Sequence, residues 1–176
     1  MMVKRINLGD IIMKKILLTL MVMACSMFSV GILHATPNLP QFTDYPAKPY
    51  MGKTAQLDMT DESARMFRTR LRDALKEKAD FAGEYVITMW GCGGGCRSYA
   101  FVNKRTGKLL DGGFGGEGSQ EDVIDSRANS RLLVTQEENM DHNYQVESLT
   151  LRFYEFQQGK FKLLKTVKAP APKEEH

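Results

Sequence analysis

The hydrophobic period of this chain changes once, near Glu84, and never changes back. Before that point lies one helical pattern. Ala64, Phe67, Leu71, Ala74 and Leu75 recur at three- and four-residue spacing and build a single apolar stripe. Thr60 is a good N-cap, Asp61 and Glu62 suit the positive end of the dipole, and Lys76 and Lys78 suit the negative end. Gly83 lies just beyond, so the spacing predicts a helix over 60–78.

Everything after the switch reads as strands. Tyr85 to Trp90 and Arg97 to Val102 are β-rich runs with few breakers. Asn103 to Gly107 reads as a hairpin turn, and Lys108 to Asp111 as its return strand. Asp122 to Asp125 and Arg131 to Thr135 are two shorter strands, and polar Gln136 to Asn143 reads as a loop. Gln145 to Phe156 alternates apolar and polar residues, and Phe161 to Val167 closes the set after a turn at Gln157 to Lys160. Consecutive strands after one helix argue for an α+β fold: one amphipathic helix packed on an antiparallel sheet of about six strands.

The N-terminus sets the compartment. Lys14 and Lys15 precede an apolar run from Ile16 that continues to His34-Ala35 and ends in a small residue, Ala35. This is the pattern of a secretory signal cleaved near Ala35, with a possible upstream mis-start before Met13. An uncleaved membrane anchor and a lipoprotein signal at Cys25 are the alternatives, and all three place the rest of the chain outside the cytoplasm. The expected organisation is a signal over 1–35, a Pro-rich extended arm over 36–58, a single α+β domain over 59–168 and a flexible tail over 169–176. The exported part, about 140 residues, suffices for one domain with a real core.

Export also changes the charge reading. The formal net charge is +3, and the signal segment carries four cations (Lys4, Arg5, Lys14, Lys15) against one anion, Asp10. Its removal takes away the whole excess, so no electrostatic footprint for nucleic acid remains. Cys25 leaves with the signal. Cys92 and Cys96 are then an even pair in an oxidising space, which reads as a disulfide.

The arm carries Pro37, Pro40, Pro46 and Pro49, which keep it extended and out of regular ladders. Phe42, Tyr45 and Tyr50 are interleaved with them and suit packing of the arm onto the domain; a partner-docking segment is the other reading. On the helix, Arg65, Arg68, Arg70 and Arg72 form a solvated face, with anion binding as the alternative.

The densest oddity is Trp90-Gly91-Cys92-Gly93-Gly94-Gly95-Cys96-Arg97, with four glycines in six positions. Glycine is costly to order, so the cluster needs a reason. A disulfide closing so small a loop requires backbone that only glycine accepts freely, which makes this a stapled hairpin corner with Trp90 packed beside it. In the alternative, bare N–H groups cradle a ligand, Trp90 stacks on it and Arg97 supplies charge. A redox-active pair of thioredoxin type needs Cys-x-x-Cys at a helix N-terminus, and haem attachment needs a following His; neither is present. Zinc is disfavoured because His142 is the only non-terminal histidine after the signal.

The run Glu84-Tyr85-Val86-Ile87, then Trp90-Gly91-Cys92-Gly93 and Cys96, Thr106-Gly107-Lys108 and Ser130-Arg131-Leu132-Leu133, resembles a group of small exported bacterial proteins of uncharacterised function. The resemblance spans Phe81 to Leu164. It implies a periplasmic location and the disulfide, and it supplies no catalytic residues.

A second glycine loop runs from Gly112 to Ser119 and contains a formal Gly-x-Gly-x-x-Gly, but no βαβ unit surrounds it. It reads as a flexible loop with Phe114 at an exposed tip. No nucleophile motif surrounds Ser98, Ser119, Ser126 or Ser130. Asp111, Glu117, Glu121, Asp122 and Asp125 could furnish a carboxylate pair, with His142 as a base, for a small periplasmic hydrolase. The preferred expectation is a non-enzymatic periplasmic binding module, without cofactor or metal, for an envelope protein or cell-wall ligand. Its candidate binding residues are Trp90, Arg97, Phe114 and Glu117.

Overall fold

The strand-periodic half of the chain becomes six antiparallel strands in the computed structural model, which describes residues 38–110, 114–116 and 119–171. They form two sheets rather than one. β1 (Tyr85–Gly93) pairs with β2 (Cys96–Asn103), and β3 (Asp122–Ser126), β4 (Leu132–Met140), β5 (Val146–Gln157) and β6 (Lys160–Pro170) pair in sequence order. The division arises because the chain after β2 follows that strand's outer edge. Asn103 N–H donates to Lys108 O, Leu110 N–H to Phe101 O and Tyr99 N–H to Phe114 O, so the edge is already occupied when β3 begins the second sheet. The expected return strand from Lys108 to Asp111 is reduced, over its described residues, to an isolated bridge between Val102 and Leu109 with these flanking hydrogen bonds.

The expected loop after Thr135 is instead the second half of β4. Its polar residues Gln136 to Asn139 keep their ladder with Leu151 to Ser148 of β5. The expected single helix is two short ones, α1 (Glu62–Met66) and α2 (Arg68–Ala74). Asp61 caps α1 by accepting from Ala64 N–H at 3.0 Å. At Phe67 the backbone leaves the helical well (φ −102°, ψ 19°), and its ring lies 4.5 Å from that of Trp90 on β1.

Strand alternation then assigns each face. Val86 and Val102 turn to the helices and pack with Leu57, Leu71 and Leu75. Phe101, one residue away, turns to an aromatic core with Phe81, Phe114, Leu133 and Phe156. β4 alternates in the same way: Leu133 enters that core, while Leu132 and Val134 pack on the opposite face with Phe153 and with Leu39, Phe42 and Tyr45 of the arm. The order is therefore helices, two-stranded sheet, aromatic core, four-stranded sheet, arm. Both β2 and β4 bury residues on both faces, which is why each has runs of consecutive apolar residues. Phe81 sits centrally, with the rings of Phe101, Phe156 and Phe161 at 5.6, 5.6 and 5.9 Å.

The arm packs through its aromatics and is held by backbone bonds as well. The Ser130 hydroxyl, fully buried, lies 2.8 Å from Phe42 O and 3.0 Å from Tyr45 O. Arg131 N–H donates to Tyr45 O, Ala47 N–H to Asn129 O and Tyr50 N–H to Gly83 O. Among the described residues, no helix is long and apolar enough to cross a membrane.

Candidate functional site

The hairpin between β1 and β2 ends in a two-residue turn, Gly94-Gly95, with φ of 55° and 82°. Positive φ at both central positions is the requirement of the tight hairpin turn that matches strand twist. A Cβ at either glycine would meet nothing within 4 Å. Backbone conformation, not crowding, therefore selects glycine here, and the tip stands in open space. The register shifts between Gly91 and Gly93, leaving Cys92 in a bulge, and a disulfide joins it to Cys96 across a Cα separation of 5.1 Å.

Facing the tip is the segment after Phe114. Gly115 (φ 74°) approaches β2 so closely that a Cβ would run into the carbonyl of Arg97, and Gly116 N–H donates to that same carbonyl at 2.6 Å. Between the tip and the start of β3 lies a cleft of about 380 Å³, lined by Gly94, Gly95, Arg97, Asp122, Gln136 and Glu138, among others.

Beside the cleft runs a paired strip of charge. Arg97 forms an ion pair with Asp122, whose other oxygen accepts from the Tyr99 hydroxyl at 3.0 Å. Arg152 bridges Glu121 at 2.6 Å and Glu137 at 2.7 Å, and the Tyr154 hydroxyl donates to Glu121 at 2.9 Å. Burial first, and then the hydrogen bond to Glu121, pushes Tyr154 up to about 12. Burial and then the bond to Asp122 raise Tyr99 as well. Burial opposes the charge on Arg152, but Glu137 and Glu121 outweigh it and hold the guanidinium protonated. At neutral pH both tyrosines are hydrogen-bond donors; Asp122 pairs with Arg97, while Glu121 and Glu137 share Arg152. The exposed Arg97–Asp122 pair contributes at most about 1 kcal/mol, and its role is to orient the guanidinium at the cleft.

The structure distributes the sequence-predicted residues unevenly. Arg97 lines the cleft. Trp90 does not accompany it: its ring lies tilted against Phe67, which packs on the helix side of the hairpin, while Arg97 reaches Asp122 at the head of β3. Phe114 is not an exposed tip. It is 6% exposed and sits in the aromatic core, 4.9 Å from Phe161 and 5.2 Å from Tyr154, because the ladder to β2 draws its segment inward. Glu117 and Asp111 lie outside the described residues. His142 is exposed in the turn between β4 and β5, where the carboxylate of Asp141 already caps Asn143 N–H and Gln145 N–H.

What the sequence reading missed is the partnership of Glu121 and Asp122 with Arg152, Tyr154 and Tyr99. A signal for it existed: Arg152 and Tyr154 alternate with Leu151 and Phe153, so both point to one face of a strand that pairs with the acidic end of β4. Among the described residues, no group of three or more His, Cys, Asp or Glu is placed to hold a metal ion. Comparison with protein families, with curated proteins and with solved structures yields no match to this chain.

Proposed function

We propose that the chain is an exported envelope protein that acts by binding an envelope protein or cell-wall ligand, with the cleft beneath the stapled hairpin as its recognition surface. One observation carries the reading: the disulfide-closed tip, whose turn glycines Gly94 and Gly95 leave open space where a side chain would stand, overhangs a polar cleft of about 380 Å³. Rigid backbone beside an oriented guanidinium is a common recognition device, because little is left to order on binding. Arg97, Gln120, Gln136 and Glu138 offer both donors and acceptors to a polar ligand. Trp90, half-buried against Phe67, and Phe114, buried in the aromatic core, are supports of this surface rather than contacts.

The test is affinity capture from an envelope extract with three proteins: wild type, Glu138→Arg in the cleft, and Glu147→Arg on exposed β5. Both substituted residues are exposed, so neither change disturbs the core. Capture by wild type and Glu147→Arg, with loss in Glu138→Arg, is the expected pattern. Equal capture by all three would remove the cleft from the interaction.

A further inference from the structure

The four-stranded sheet ends in two unlike edges. β3, at one end of the strand order, is 5 residues long, and β6, at the other, is 11. β6 is held to β5 along its whole length, from Lys160 opposite Gln157 to Pro170 opposite Ser148. Antiparallel pairing directs the N–H and C=O groups at alternate positions away from β5. Among the described residues, no backbone hydrogen bond reaches this outer side of β6. A long row of unpaired groups of this kind is a template for another strand.

Charge decides which strand it can accept. β6 carries Lys160, Lys162, Lys165 and Lys168 and no acidic residue. Lys160, Lys162 and Lys168 are exposed, and among the described residues they form no ion pair. Two copies of β6 laid side by side would set one row of lysines against another, and like charges across a strand pair are destabilising. The lysines therefore guard the edge against a second copy of itself. The acidic edge of a second copy, β3, is less than half as long, and its Asp122 already holds Arg97 and Tyr99.

We infer that the outer edge of β6 is a docking site for an extended acidic segment of another protein, which adds to the four-stranded sheet as a further strand. Main-chain hydrogen bonds supply the affinity, and the lysines select for carboxylates. Leu163, 49% exposed on the same strand, offers an apolar contact between them. No residue of β6 lines the cleft, and the inference does not require the cleft to bind anything.

The probe is a fluorescein-labelled peptide of alternating glutamate and threonine, equal to β6 in length, titrated with the purified protein and followed by fluorescence anisotropy. A lysine–threonine peptide of the same length is the control, and only the acidic peptide should bind. Lys162→Glu with Lys168→Glu should weaken binding about tenfold, because each change turns an attractive cross-strand pair into a repulsive one. Arg70→Glu with Lys78→Glu, an equal charge change at α2 and just beyond it, should leave binding nearly unchanged. All four residues are exposed, and matched circular dichroism shows that each variant is folded. Amide hydrogen exchange of the wild type separates strand addition from simple charge attraction: the peptide should slow exchange within β6 and not within β3. Absence of binding, equal loss in the two double variants, or binding without slowed exchange in β6 would overturn the inference. A protein that sediments as a dimer with its β6 amides already protected would overturn it too, since a second copy would then occupy the edge.

Discussion

Replacing Phe114 with alanine separates two opposite accounts of the second glycine loop. If its ring were at an exposed tip, truncation would cost almost nothing. In the structure the ring is 6% exposed and stands edge-on to Tyr154 and Phe161, with Phe101 at 6.0 Å. Removing it forfeits roughly 1.5–3 kcal/mol of burial. The rings around it come from three different strands and cannot collapse freely into the gap, so a cavity adds to the loss. Together these place the cost in the usual range for Phe→Ala in a core, roughly 3–5 kcal/mol. For a domain of this size that corresponds to a fall in melting temperature on the order of 10 °C. Urea unfolding followed by Trp90 emission measures it, with the m-value unchanged if only stability has shifted. A loss below about 1 kcal/mol, the level of an ordinary surface substitution, would refute the placement of Phe114 in the core.

Other expectations follow from the same contacts. The double change Cys92→Ser with Cys96→Ser should lower stability by about 2 kcal/mol, the loop-closure contribution of so short a ring; a melting temperature insensitive to reductant in the wild type would contradict this. Ser130→Ala removes the buried hydroxyl from Phe42 O and Tyr45 O, costing roughly 1–3 kcal/mol, and should speed proteolytic cleavage within the arm between Asn38 and Met51. An unchanged cleavage rate would show that the arm is held without it. Tyr154 has its folded pKa raised from 10.0 to about 12, so its contribution is fully present below pH 10.0 and is lost as pH rises toward 12. Stability measured against pH should therefore fall in that window. Tyr154→Phe should flatten the fall, leaving the part due to Tyr85 and Tyr99, whose pKa values are also raised. An identical slope in wild type and variant would contradict it.

The strands and the stapled corner were legible in the sequence because their signals are local. Tyr85 to Trp90 is β-rich along its length, and a glycine pair between two cysteines has few conformations open to it. What was not legible depends on partners distant in the chain. Polar Gln136 to Asn139 read as a loop, yet they remain in β4 because β5 is twelve residues long and supplies a ladder for them. Phe114 read as a tip because nothing adjacent to it announces the edge of β2. The helix read as continuous because its apolar stripe is continuous. The interruption at Phe67 coincides with the contact of its ring with Trp90, a residue of the facing sheet. The paired strip beside the cleft draws on β2, β4 and β5 together with Glu121 and Asp122 at the head of β3. Only the register places Arg152 opposite Thr135 and near Glu137.

The most direct test places a photo-crosslinking amino acid at Glu138, in the cleft, or at Glu147, on exposed β5, in the full-length chain in living cells. A crosslink to an envelope component from position 138, absent from position 147, is the predicted result. Identical adducts from both positions, or adducts formed only with cytosolic proteins, would contradict the placement of recognition beneath the stapled hairpin.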